Sequence, residues 1–333
     1  MTDLTKQFPT NIDVIDRLGR VQIEAGDTAG ALSTYERAHM MAPNLLSILS
    51  SYVDLLRSAK KFTKAQSVLQ AALRRDPQNA SLKGELIRVE AQIGGLDAGL
   101  AMARSLAKTD PNSGVYDIVS AELYEKAGRP NDAVGLLEEA AADRPSDDDL
   151  AIALARLYTV TGLPAKADAV LKARLEADPR NAHVRSALAS HYMGQKVYAD
   201  AIAEYTRVIE NRPDDPFALN NLAWLYQRQG ELAQARQLAQ RAFAISPRDP
   251  HIDDTFGWIL LEQGEADQAT SYLSAANLSA PRDPNIQYHL AAALYRAGRP
   301  ADAEALLETL LGSGASFADK AAAEKLLHEL KPG

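Results

Sequence analysis

DPFALNNLAWLYQRQGELAQARQLAQRAFAISP, residues 215–247, spells out two helices and the signals that stop them. Leu219, Leu222, Ala223 and Tyr226 recur at the three-and-four spacing that gathers side chains on one face of an α-helix. Ala235, Leu238, Ala239 and Ala242 mark a face of a second helix. Between them stands Gly230, at a helix end where glycine enters the left-handed conformation without a Cβ penalty. Pro247 then stops the second helix, because proline cannot continue one. Neither helix can bury its stripe alone, so stacking against neighbours is the expected solution.

The same grammar recurs along the chain. Prolines stand at 9, 43, 77, 111, 145, 179, 213, 247 and 281, each 34 residues after the last. A second ladder runs Ala31, Ala65, Gly99, Ala133, Ala167, Ala201, Ala235, Ala269, Ala303, where two helices cross too closely for a larger side chain. A third reads Gly26, Lys60, Gly94, Gly128, Gly162, Lys196, Gly230, Gly264, Gly298, at the ends of first helices. Pro130, Pro164 and Pro300 fall at the first turn of a second helix, and Pro216, Pro250 and Pro284 open a first helix.

These ladders resemble the tetratricopeptide repeat. Its pattern of large, small and aromatic residues, then alanine, then proline, is carried by Leu188, Ala189 and Tyr192, by Ala201 and Tyr205, and by Pro213. The expected fold is therefore all-α, a superhelical solenoid of nine helix-turn-helix repeats over residues 12–317, followed by a C-terminal capping helix and tail over 318–333. Ser316 is expected to cap that last helix, whose apolar stripe is Ala323, Leu326, Leu327 and Leu330. Ser120 stands where repeat four should have a large residue, and Gly99 where repeat three should have alanine, so looser packing is expected there. Pro9 falls on the proline ladder, so residues 1–11 are expected to be the remnant of a preceding repeat, cut at its edge and given a methionine, with a natural short N-terminal cap as the alternative.

The last third is similar to one subgroup, the exosortase/PEP-CTERM-associated tetratricopeptide repeat lipoproteins. The likeness lies in Asn220-Asn221-Leu222-Ala223-Trp224, in Asp254-Thr255 with Gly257-Trp258 one repeat later, and in the continuation from Asp283 into the last short helix. It implies a scaffold in bacterial exopolysaccharide or exosortase-linked export, periplasmic as part of a longer lipoprotein with an upstream lipid anchor. Two alternatives stand beside it. One is the substrate-binding arm of a larger enzyme such as a glycosyltransferase. The other is a cytoplasmic adaptor or co-chaperone, favoured if Met1 is the native start.

In such arrays the first helices line a groove through repeat positions 2, 5, 6, 9, 12 and 13. Repeats one to four place mixed charge there: Asp13, Asp16, Arg17, Arg20, Asp54, Arg57, Glu85, Arg88 and Glu122. Repeats seven to nine place Phe217, Asn220, Asn221, Trp224, His251, Trp258, Tyr288, His289 and Tyr295, the candidate partner-binding residues. Trp and Tyr anchor interfaces by burying much area at low entropic cost, and asparagine amides can hold a peptide backbone. The expected partner is an extended peptide, a protein or a glycan. The two tryptophans also suit a purely packing role between neighbouring first helices. The family's carboxylate clamp needs lysine at position 5, which reads Asp16, Ser50, Gly84, Ile118, Ile152, Ser186, Asn220, Asp254 and Tyr288; a chaperone-adaptor role is not expected.

Composition narrows the rest. A net charge of −8 argues against a nucleic-acid partner, since phosphate neutralisation needs a cationic surface. The chain has no cysteine, and no apolar run long enough for a transmembrane segment. His183 and His191 are eight apart, the wrong spacing for a helical metal pair. His251 and His289 converge in the groove without a placed carboxylate to complete a site. Asp147–Asp149 sit at a repeat junction, where acidic residues favour a helix N-terminus. No metal, no cofactor and no catalytic residue is expected.

Overall fold

The computed structural model describes residues 10–331, apart from the side chain of Glu24, and every regular element among them is an α-helix. Nine pairs follow in order: α1 (Ile12–Glu24) with α2 (Thr28–Met41), α3 (Leu46–Ser58) with α4 (Phe62–Arg75), α5 (Ala80–Gly94) with α6 (Leu96–Ala107), α7 (Val115–Lys126) with α8 (Pro130–Asp143), α9 (Asp148–Val160) with α10 (Pro164–Ala177), α11 (Ala182–Gly194) with α12 (Tyr198–Asn211), α13 (Pro216–Arg228) with α14 (Leu232–Ile245), α15 (Pro250–Glu262) with α16 (Ala266–Ser279), and α17 (Pro284–Arg296) with α18 (Pro300–Gly312). A last helix, α19 (Lys320–Leu330), follows them. The second helices begin 34 residues apart from Thr28 to Pro300. The chain divides after Ala177 into two compact units, the first five pairs and the last four with α19. No helix among the described residues is long and apolar enough to cross a membrane. Pro9, with the reading of the first residues as a repeat remnant, and Pro332 lie outside the described residues.

The period is enforced locally. Asn11, Asn79, Asp147, Asn181, Asp215, Asp249 and Asp283 each precede a first helix and accept a backbone N–H from its opening turn. At the other end of the first helices, Gly26, Gly128, Gly162, Gly230, Gly264 and Gly298 take positive φ, as do Lys60 and Lys196 at 57° and 61°. Repeat three departs from the ladder. There α5 continues through Gly94, and the left-handed residue is Gly95, at φ 83°. The turn has moved by one residue because the helix is longer.

The alanines of the second ladder are fully buried, each at 0% exposure. Gly99 does not loosen repeat three, contrary to the expectation. A Cβ there would come within 2.6 Å of the Ala91 Cβ and 2.8 Å of Leu123 Cδ1, so the helices approach more closely and glycine is what permits it. Ser120 is also buried, its hydroxyl donating to the Tyr116 carbonyl one turn back at 2.7 Å.

The ladder prolines contribute more than a stop signal. Their carbonyls face the inter-repeat turn, and several accept side-chain hydrogen bonds: Pro43 from Arg75, Pro111 from Arg144, Pro179 from Arg185, Pro213 from Arg241 and Pro281 from Gln287. Loop carbonyls beyond the helix ends are thereby satisfied.

At the C-terminal end, α19 begins at Lys320 behind Asp319, so Ser316 is not its cap. The half-buried Phe317 packs against the core, and residues 315–317 before the helix are non-helical. Ala323 is buried, and Leu326, Leu327 and Leu330 cover the apolar end of the last pair around Ala291 and Leu307, as the stripe implied.

Candidate functional site

Trp224 on α13, His251 and Trp258 on α15 and His289 on α17 line one cavity of about 500 Å³ in the second unit. Successive first helices stand side by side, so residues one repeat apart fall in register on the same wall. Trp258 stacks on the His289 ring, centroids 4.2 Å apart. His289 is held from beneath: its Nδ1 lies 2.8 and 3.0 Å from the two carboxylate oxygens of Asp254. A carboxylate can only accept, so Nδ1 carries the proton and Nε2 is directed elsewhere. That nitrogen lies 3.9 Å from Asp319, the residue just before α19. Both Asp254 and His289 side chains are 15% exposed.

Trp224 meets Tyr198 edge-on, with centroids 5.9 Å apart, and carries the Arg228 guanidinium 5.5 Å from its own ring centroid. Each tryptophan is half-buried, packed against an adjacent core cluster while also lining the cavity. Packing and presentation are therefore combined in the same rings.

The remaining groove candidates sit elsewhere. Phe217 and Tyr295 are exposed, at 63% and 42%, and do not line this cavity. Asn221 donates its side-chain amide to the Tyr205 hydroxyl at 2.8 Å, a structural contact inside the unit. Asn220 is half-buried, and its Oδ1 has no hydrogen-bond partner. Tyr288 lies behind the wall against Trp258 and His289, where burial and then the nearby Asp319 push its hydroxyl above the usual phenol range.

Several cavity residues escaped sequence reasoning. Gln227, Arg228, Asp254, Thr255, Glu262 and Asn285 stand at groove positions 2, 5, 6, 12 and 13 and line the cavity too, though none was among the named candidates. The carboxylate judged missing beside the histidines is Asp254. Asp319 follows the last lattice repeat, and no periodic signal could point to it. Among the described residues, no group of three or more metal-ligating side chains is placed to hold an ion.

In the first unit the groove charges neutralise one another. Arg57 pairs with Asp54 at 3.4 Å and Glu85 at 3.0 Å, Arg88 with Glu85 at 2.7 Å and Glu122 at 2.9 Å, and Arg20 with Asp16 at 2.9 Å. Little net field is left there for a charged partner.

Three family models, each described as tetratricopeptide repeat, match the chain: one at residues 124–190 and 260–330, one at 180–248 and one at 53–114. Together with the helix pairs, they identify the chain as a tetratricopeptide repeat protein. Among solved structures, the Cut9–Hcn1 hetero-tetramer of the APC/C is similar with a TM-score of 0.58 at 15% identity, over 94% of this chain and 68% of that one. The human IFIT1 dimer, solved with m7Gppp-AAAA, gives 0.55 at 12% identity over 96% and 81%. A tetratricopeptide repeat protein from Parabacteroides merdae gives 0.50 at 19% identity over 74% and 97%. Identities this low show the shared fold alone. Comparison with curated proteins finds no significant match.

Proposed function

We propose that this protein is a non-enzymatic scaffold that holds a protein partner through an extended segment laid in the groove of its second unit. The observation that carries the reading is the shared cavity wall: Trp224 and Trp258, on consecutive first helices, face one space together with hydrogen-bonding side chains. Aromatic anchors ringed by polar groups are the usual composition of a peptide-binding surface. Pull-down with Trp224→Ala/Trp258→Ala tests it. Because both rings also pack against core clusters, the melting temperature should fall as well, so capture is measured well below it. Loss of capture by the folded variant is the expected result, and retained capture sinks the reading.

The setting we propose is bacterial exopolysaccharide or exosortase-linked export, in the periplasm, as part of a longer lipoprotein. Its support is the likeness of the last third, from the Asn220–Trp224 helix to the final short helix, to the lipoproteins associated with those systems. The full-length gene product decides it. An upstream lipoprotein signal is the expected finding, and a fused transferase domain would replace the scaffold with an enzyme arm.

A further inference from the structure

The second-unit cavity differs from the first-unit groove in the state of its charges. Four of its lining residues are carboxylates, Asp254, Glu262, Asp283 and Asp319, against the single guanidinium of Arg228. Asp254 is engaged by His289, and Asp283 caps α17. The other two have no cationic side chain of their own. Glu262 is exposed and accepts only from the amide of Gln227, 2.8 Å from each oxygen. Asp319 is 48% exposed, and its nearest partner is the His289 Nε2 at 3.9 Å. Glu85 and Glu122 of the first-unit groove, by contrast, are taken up by Arg57 and Arg88. The second unit therefore presents uncompensated negative charge beside two indole faces.

We propose that this cavity takes an arginine side chain of the bound segment, with its guanidinium against the tryptophan wall and its N–H groups donated to one of the two free carboxylates, Glu262 or Asp319. This deepens the scaffold reading and rests on it. Aromatic faces attract cations through their ring quadrupole, and more so where water is partly excluded. A planar guanidinium suits the site better than an ammonium, because it stacks on indole and forks toward carboxylates. The protein already shows such a contact, with Arg228 over Trp224. The cavity volume of about 500 Å³ accommodates one long side chain and its flanking backbone.

Trp224 and Trp258 are the protein's two tryptophans, and both line this cavity, so intrinsic fluorescence reports on the site directly. Three blocked peptides that are identical apart from a central arginine, citrulline or glutamate are titrated to about 10 mM, the weak end for a single anchor. The arginine peptide is expected to change tryptophan emission saturably. Citrulline should bind at least about fivefold more weakly, as expected for a lost cation–π contact and ionic hydrogen bonds. Glu262→Gln/Asp319→Asn should weaken the arginine peptide by a similar factor with an unchanged melting temperature, since both side chains are solvent-accessible. Equal or better binding by citrulline or glutamate, or undiminished binding by the double variant, overturns the arginine assignment and leaves the groove reading standing. Unchanged emission with all three peptides overturns both.

Discussion

Lys60 and Lys196 occupy turns where most other repeats hold glycine, at φ 57° and 61°. A side chain in the left-handed region costs roughly 1–2 kcal/mol, part of which glycine returns as greater freedom in the unfolded chain. Lys60→Gly and Lys196→Gly should each stabilise the protein by about 0.5 kcal/mol, read as a higher urea midpoint with an unchanged slope. Asp253 tests burial. It is 2% exposed, its Oδ1 has no hydrogen-bond partner, and burial, then the neighbouring Asp249, raises its carboxyl from the ordinary 3.8 to about 6. The folded state therefore holds a proton that the unfolded chain releases between those values. Stability from this group is present at low pH and is lost as pH rises through about 6. Asp253→Asn should abolish that decline and add on the order of 2 kcal/mol at neutral pH; a pH-independent difference between variant and wild type would refute the burial argument.

At the level of one helix, α3 departs from its neighbours. Leu45 stands where seven other first helices carry an asparagine or aspartate cap, and it makes no capping hydrogen bond. Its backbone at φ −80°, ψ 103° matches theirs, and its side chain is 43% exposed, so nothing in the fold requires leucine. Leu45→Asn is expected to gain about 1 kcal/mol, measured by thermal or urea unfolding. The helices themselves were legible in the sequence because their signals are local: a glycine after the first helix, a proline after the second and apolar residues at helical spacing. The exceptions arose where neighbours intervened. The longer α5 shifted a turn to Gly95, and the last helix starts at Lys320, past Ser316, with Phe317 packed against the core.

Across the molecule, repeats couple mainly to their neighbours, so a defect should stay local. Gly99 makes the point sharply, because the lattice argues for alanine and the packing forbids it. Gly99→Ala brings a Cβ to 2.6 Å from that of Ala91. Overpacking costs about 1–3 kcal/mol, and the gain in helix propensity returns about 1. The expected net is a loss of about 1 kcal/mol, with hydrogen exchange accelerated in repeats three and four and unaltered in repeats seven to nine. A stabilised variant would show that the lattice outweighs the contact.

The sequence by itself determined the class of fold, the repeat length, the helix pairs and the wall on which Trp224 and Trp258 stand. Those features follow from backbone preferences and from a strict period that carries each residue to an equivalent place. The candidate site was half legible for the same reason: repeat positions located its wall but could not say which side chains would meet there. Only the tertiary structure joined Asp254 to His289 across two helices, tied Asn221 to Tyr205 and brought Asp319 to the cavity from beyond the last repeat. Such meetings depend on rotamers and on the distance between neighbouring helices, neither of which is periodic in the chain.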